Sequence, residues 1–123
     1  MGSGARLPFE DGTFDVATAS TVLSSVLDRS VQQAIVREMR RVVRPGGLVV
    51  TYDFVIRNPR NPAVRAMPVS RLTEAAGATP DGSERLSPLV YLVAAGAAVH
   101  PVAARLAMVL APRTHRLTWW RVQ

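Results

Sequence analysis

The architecture of this 123-residue chain is decided by the stretch Arg41-Val42-Val43-Arg44-Pro45-Gly46-Gly47 and by the residues LVVTYDF that follow it at positions 48–54. Residues 48–54 are rich in β-branched and aromatic side chains, so they predict a strand. The Pro-Gly-Gly triplet predicts the end of a preceding helix, because proline lacks an amide hydrogen and glycine favours helix C-termini. A helix therefore passes into a strand at this point.

The preceding helix is predicted to begin next to Ser30, which serves as its N-cap, with Gln33 at the spacing of a capping box. Apolar residues recur at helical spacing and predict one buried face: Val31, Ile35, Met39 and Val42. Residues 14–19 contain the β-branched Val16 among small and largely apolar neighbours, which is typical of a buried strand. Strand, helix and strand in this order predict a right-handed crossover that joins two parallel strands.

Weaker patterns continue to the end of the chain. Residues 69–76 predict a helix that ends at Gly77, and residues 85–92 predict a strand. Residues 94–110 predict a helix with a break at Pro101, and residues 113–122 predict a final strand.

Composition narrows the possible functions. The chain is 48% hydrophobic and 20% charged, which suits a globular domain. It has no cysteine, which excludes disulfides and thiolate metal sites, and two isolated histidines do not predict a metal site. The net charge is +6, and no acidic residue follows Glu84. A basic face can bind nucleic acid or a membrane surface, but no nucleic-acid motif is present, so the sequence does not favour nucleic acid as a partner.

In combination, these motifs resemble the middle of the class I S-adenosylmethionine-dependent methyltransferases, of the methyltransferase type 11 kind. The resemblance begins at Leu7-Pro8-Phe9 and continues through Phe14-Asp15-Val16 to the Arg-Val-Val-Arg-Pro-Gly-Gly run. It extends over Tyr52-Asp53-Phe54 and the proline-rich loop at residues 58–62, and it is looser beyond Arg65.

The resemblance implies an α/β fold, the Rossmann-like three-layer sandwich of these enzymes. The family sheet has the order 3-2-1-4-5-7-6, and its strand 7 is antiparallel. On that map the chain is one incomplete domain over residues 1–123 that supplies strands 4-5-7-6. Strands 1–3 would be missing, together with the glycine-rich turn and the ribose-binding acid. The chain is therefore expected to be the C-terminal portion of a longer enzyme.

The resemblance also implies a site for S-adenosylmethionine. Ser3, Gly4 and Ala5 resemble the family's turn that meets the adenine, with serine where the family often has aspartate. Ligands of open α/β sheets bind at the carboxyl ends of the strands.

Strand 4 is therefore predicted to present Ala19, Ser20 and Thr21 to the methionine end of the cofactor, or these residues are only a loop. Strand 5 is predicted to present Asp53, which either orients the methyl acceptor or acts as a base, or is only a solvated acid after a strand. His115 is a weaker candidate for contact with the substrate.

The predicted function is methyl transfer to a small-molecule acceptor by a cytoplasmic enzyme that needs no metal. The sequence does not identify the acceptor. Two alternatives stay open, namely a truncated remnant without activity and a basic module that binds a membrane surface or nucleic acid. Without strand 1, the strand from Phe14 to Ala19 would be an open edge, and such edges pair with other chains. The sequence therefore predicts that the isolated chain is unstable or forms a homodimer through this edge.

Overall fold

The computed structural model describes residues 3–57, 61–88 and 98–123. Its elements, in chain order, are β1 (Phe14–Ser20), a 3₁₀ turn (Leu23–Ser25), α1 (Arg29–Val42), β2 (Val43–Phe54), α2 (Val69–Ala76), β3 (Gly82–Pro88), α3 (Pro101–Leu110) and β4 (Arg113–Arg121). The predictions for residues 58–60, 89–92 and 94–97 lie outside the described residues.

The four strands form one sheet in the order β1-β2-β4-β3. β1 and β2 are parallel, while β4 is antiparallel to β2 and to β3. In the family's numbering this is the order 4-5-7-6 with an antiparallel last strand. The predicted α/β class and the predicted strand order are therefore confirmed.

The predicted N-cap of α1 is wrong. The helix begins at Arg29, and its N-cap is Asp28, whose carboxylate accepts hydrogen bonds from the amides of Ser30 (2.8 Å) and Val31 (3.4 Å). Ser30 lies inside the helix, and its hydroxyl donates to the same carboxylate oxygen. These bonds lower the pKa of Asp28, because they stabilise its charged form.

The buried face of α1 is also rotated from the predicted one. Val31 is 37% exposed, whereas Gln32 and Val36 are buried. Ile35, Met39 and Val42 are buried as predicted. Hydrogen bonds hold Gln32 on this face, because its side-chain amide donates to the backbone carbonyls of Leu23 and Val26, at the 3₁₀ turn.

The strand β2 begins earlier than predicted. α1 ends at Val42, and β2 starts at the next residue, so Pro45, Gly46 and Gly47 lie inside the strand. A register shift between Phe14 and Val16 accommodates this segment against β1. The Pro-Gly-Gly triplet therefore belongs to the first residues of β2, a short distance after the end of α1.

The later elements agree with the predictions in type. α2 has the predicted bounds, and Gly77 ends it in the left-handed conformation at φ +62°. β3 begins at residue 82, before the predicted 85. α3 begins at Pro101, and the ring of His100 accepts a hydrogen bond from the amide of Val102 as its N-cap.

The hydrophobic core lies on one face of the sheet, under α1 and the segment that leads into α2. It contains residues from every layer on that side, among them Leu23, Ile35, Val36, Val49, Met67, Leu72 and Trp120. On the other face Leu48, Val50 and Tyr52 of β2 are only half-buried. α3 lies near β3 and buries none of its residues. One face of this sheet is therefore much better covered than the other.

Candidate functional site

The carboxyl ends of β1 and β2 lie side by side. Ala19 is paired with Thr51 and Ser20 with Tyr52. The pairing extends one residue past β1, where the amide of Thr21 donates to the carbonyl of Tyr52 over 2.7 Å. The ends of these two parallel strands therefore form a common edge, which is where open α/β sheets bind ligands.

Thr21 turns the chain away from the sheet. Its φ of +54° lies in the left-handed region, which residues other than glycine rarely adopt. Its hydroxyl donates to the carbonyl of Ser20 (2.8 Å), and the hydroxyl of Ser25 donates to the carbonyl of Thr21 (2.9 Å). Such a conformation costs about 1–3 kcal/mol and persists only where the surroundings fix it.

Asp53 is buried in β2. Only 1% of the residue is exposed, and one carboxylate oxygen, Oδ1, accepts a hydrogen bond from the amide of Ser24 over 2.9 Å. Burial raises the pKa of Asp53, and the hydrogen bond from the amide of Ser24 opposes this effect by stabilising the charged form. The reading of Asp53 as a solvated acid is therefore wrong, while its role in catalysis stays a prediction.

Gln32 belongs to the same buried cluster, and the sequence reasoning missed it. Its Nε2 donates to the carbonyls of Leu23 (2.9 Å) and Val26 (2.7 Å). A signal was present, because Gln32 lies three and four positions before Ile35 and Val36 and hence on the buried face. A polar side chain in that phase indicates a partner inside the fold.

The turn predicted to meet the adenine packs on α1. Ser3 and Arg6 form an isolated antiparallel bridge, and the hydroxyl of Ser3 accepts a hydrogen bond from the amide of Ala5 over 3.3 Å. The α-carbon of Gly4 faces Ile35, so that an added β-carbon would lie 3.5 Å from Cγ1 of that side chain. These contacts place the turn on α1, whereas Ser20 and Thr21 lie at the end of the sheet.

A second group of side chains lies on the opposite face of β2. The ring of His115 stacks on Tyr52 with a centroid distance of 4.8 Å and lies 4.1 Å from the ring of Phe54. Burial lowers the pKa of His115, which favours the neutral ring. The sequence pointed to His115 but not to these partners, because the register of β4 against β2 brings them together.

The Leu-Pro-Phe motif is bound to α1 by Arg41. The guanidinium donates to the carbonyls of Leu7 (3.1 Å) and Phe9 (2.8 Å) and to the carboxylates of Asp11 and Glu38. Glu38 in turn accepts the amide of Leu7 over 2.9 Å. The bonds to Arg41 and Leu7 lower the pKa of Glu38 to about 2. The two most recognisable motifs of the sequence thus hold each other.

The described residues hold neither a cluster of metal-binding side chains nor a membrane-spanning helix. Residues 3–57, 61–88 and 98–123 contain no group of three or more His, Cys, Asp or Glu side chains that could hold a metal ion. No helix within these ranges is long and apolar enough to cross a membrane.

A family model described as "Methyltransferase domain" matches residues 1–51. The demethylmenaquinone methyltransferase of Mycolicibacterium vanbaalenii is 51% identical over 53 residues, which are 43% of this chain and 22% of that protein. The protein of the same name from Mycobacterium tuberculosis is 37% identical over 95 residues, which are 70% of this chain and 38% of that protein. The chain thus spans well under half the length of these curated relatives.

Solved structures share the fold. A SAM-dependent methyltransferase from Methanosarcina mazei matches with a TM-score of 0.62 and 14% identity, over 99% of this chain and 66% of that one. The geranyl diphosphate C-methyltransferase of Streptomyces coelicolor, bound to Mg2+, geranyl diphosphate and S-adenosyl-L-homocysteine, matches with a TM-score of 0.63 and 16% identity, over 98% of this chain and 51% of that one. The resemblance seen in the sequence is therefore confirmed.

Proposed function

Because this chain is related to the class I S-adenosylmethionine-dependent methyltransferases, we propose that it takes part in methyl transfer from S-adenosylmethionine to a small-molecule acceptor. The observation that supports the proposal is the common edge of β1 and β2, where Ser20 and Thr21 meet Tyr52. The bound cofactor supplies the methyl group and the leaving group. The protein has to align the acceptor with the methyl carbon and exclude water.

We assign the methionine end of the cofactor to Ala19, Ser20 and Thr21, and its adenine to the turn of Ser3, Gly4 and Ala5. The donor set at the strand edge fits the amino-acid part of the cofactor, because hydroxyl groups both donate and accept hydrogen bonds. Ser20 is exposed there, whereas the methyl group of Ala19 is buried in the core, so at these two residues the hydroxyl of Ser20 is the side-chain group open to a ligand.

We further propose that the chain acts as one incomplete domain of a longer cytoplasmic enzyme. The half-buried face of β2 supports this, because Leu48, Val50 and Tyr52 are apolar side chains that a further layer would cover. In the described residues β1 is an edge strand. It exposes Val16 (48%), so in the isolated chain a second copy can pair with this edge as the predicted homodimer.

Calorimetric titration with S-adenosylhomocysteine tests the proposal. The in-frame coding sequence upstream is expected to encode a Gly-x-Gly-x-Gly turn, and the extended protein is expected to bind the ligand saturably. Ser20→Asp places a charge at the assigned site and should weaken binding by about tenfold or more. Ser70→Asp on the exposed side of α2 is the matched control. A folded extended protein that does not bind would leave the inactive remnant as the better reading.

A second candidate function is attachment to a membrane surface, and α3 is the observation that favours it. Val109 and Leu110 are 79% and 77% exposed, and no acidic residue follows Glu84. An apolar helix in a basic context binds anionic lipid. Cosedimentation with phosphatidylglycerol vesicles at low salt tests this, with Val109→Asp as the variant that should release the protein and Thr73→Asp on α2 as the control.

A further inference from the structure

We propose that Asp53 is a positioning residue, which holds the segment of residues 21–26 in the conformation that presents Ser20 and Thr21, and that it does not act on the methyl acceptor. The inference rests on the proposed function, because it concerns the residues assigned to the methionine end of the cofactor. It replaces the predicted role of Asp53 as a base by a structural one at the same site.

Side chains from two elements bind the backbone of this segment. Asp53 of β2 accepts the amide of Ser24 through Oδ1 (2.9 Å). Gln32 of α1 donates to the carbonyls on either side of Ser24, those of Leu23 and Val26. Ser24 and Leu23 are fully buried, so these bonds replace the water that would otherwise satisfy the backbone.

Backbone contacts hold the same segment at two more points. The amide of Arg65 donates to the carbonyl of Ser24 over 2.8 Å, and the amide of Thr21 donates to that of Tyr52 over 2.7 Å. The amide of Met67 binds the carbonyl of Phe54, so the chain that carries Arg65 is itself fixed to the end of β2. The segment is therefore anchored to β2, to α1 and to the connection that leads into α2.

These anchors account for the strained conformation of Thr21. A residue other than glycine stays at a φ of +54° only when its neighbours on both sides are fixed. On one side Thr21 continues β1, and on the other the bond between Asp53 and Ser24 fixes the 3₁₀ turn. Loss of that bond would let Thr21 relax toward ordinary backbone angles and move the two hydroxyl groups.

The surroundings of Asp53 argue against a role as base. A base must come within hydrogen-bond reach of the proton that it removes. Asp53 faces the covered side of the sheet, together with Val49 and Thr51, and is almost completely inaccessible. The charged side chain opposite it on β4 is Arg116, whose guanidinium donates to the hydroxyl of Ser83 on β3.

Two substitutions separate the two roles. Asp53→Asn keeps an oxygen that accepts the amide of Ser24 but cannot act as a base. Asp53→Ala removes the acceptor. The first measurement is hydrogen exchange at the amide of Ser24 by NMR, which needs neither cofactor nor activity. Asp53→Ala is expected to speed exchange by about tenfold or more, and Asp53→Asn by less than about threefold.

The second measurement is calorimetric affinity for S-adenosylhomocysteine in the extended enzyme. A positioning role predicts about tenfold weaker binding for Asp53→Ala and nearly unchanged binding for Asp53→Asn. If Asp53 acted as a base, both variants would bind the ligand with unchanged affinity, and Asp53→Asn would lose turnover by about a hundredfold or more. That pattern, or unchanged exchange at Ser24 in Asp53→Ala, would overturn the inference.

Two other outcomes are a variant that does not fold and a wild-type protein that does not bind the ligand. If Asp53→Ala does not fold, the Asp53→Asn variant distinguishes the two roles by itself. Retained ligand affinity and turnover in Asp53→Asn would support the positioning role. Lost turnover with unchanged protection of the Ser24 amide would refute the positioning role. Should the wild-type protein not bind the ligand at all, the proposed function fails. The exchange measurement then still reports whether Asp53 holds the segment.

Discussion

The two glycines of the Arg-Val-Val-Arg-Pro-Gly-Gly run should respond very differently to the same substitution. Gly46 has a φ of +83°, and a β-carbon added there would meet nothing within 4 Å. An added β-carbon at Gly47 would lie 2.5 Å from the carbonyl oxygen of Asp15 and 2.5 Å from Cγ1 of Val43. Gly46 is therefore required by its backbone conformation, and Gly47 by the close approach of β1.

The expected costs follow from these two causes. Gly46→Ala places an L-residue in the left-handed region, which costs about 1–2 kcal/mol. Gly47→Ala forces the backbones of β1 and β2 apart by about 1 Å, and overpacking of this kind costs about 3 kcal/mol or more. β2 cannot shift away freely, because the amide of Val122 donates to the carbonyl of Gly47 from its other side over 2.9 Å.

Thermal unfolding followed by circular dichroism at one protein concentration measures the difference. At roughly 4 °C per kcal/mol for a chain of this size, Gly46→Ala should lower the Tm by about 4–8 °C and Gly47→Ala by about 12 °C or more. An alanine that fits without strain stabilises by about 0.4–1 kcal/mol, through the unfolded chain. A neutral or stabilising Gly47→Ala variant would therefore refute the close approach of β1 and β2.

Two further predictions concern the edge strand and the acid limb of stability. Val16→Lys puts a charge on the exposed Val16 position of β1 and should shift the sedimentation coefficient of the isolated chain toward that of a monomer. The control variant Thr73→Lys on α2 should leave it unchanged. A wild-type chain that is monomeric at all concentrations would contradict the proposed dimer. Folding lowers the pKa of Glu38 from 4.5 to about 2, so its contribution is complete above about pH 5 and is lost as the pH falls toward 2. Glu38→Gln should flatten the fall in Tm over this range, and an unchanged acid limb would show that the contacts of Glu38 with Arg41 and Leu7 do not form in solution.

The order of the strands could be predicted from the sequence because it depends on features that are local or known from the family. The Pro-Gly-Gly triplet and the β-branched residues after it mark the passage from α1 to β2. The pairing of β4 between β2 and β3 came from the resemblance alone, since those strands are far apart in the sequence. No pattern within residues 113–122 determines which strands they join.

The helix cap shows where local patterns were ambiguous. Ser30 and Gln33 match the capping box, in which Ser30 would accept the amide of Gln33, but Asp28 caps the helix two residues earlier. A carboxylate accepts several hydrogen bonds at once, and here it takes the amides of Ser30 and Val31 and the hydroxyl of Ser30. Gln32 rather than Val31 is buried because it lies three and four positions before Ile35 and Val36, on the buried face of the helix.

The burial of Asp53 could not be predicted for a related reason. The alternation of β2 places Asp53 on the same face as Val49 and Thr51, and this was readable from the sequence. Which of the two faces the helices cover depends on how the crossover packs and on what else packs against the sheet. Half-buried Tyr52 and buried Asp53 therefore looked equivalent in the sequence.

The motifs that reveal the family are engaged inside the fold. Arg41 binds the carbonyls of Leu7 and Phe9, and Gly47 is needed for the approach of β1. A chain keeps these residues as long as it keeps the packing of the sheet, whether or not it binds a cofactor. The proposed methyl transfer must therefore be tested at Ser20 and Thr21, the residues that we assign to the cofactor and whose geometry we attribute to the buried bond between Asp53 and Ser24.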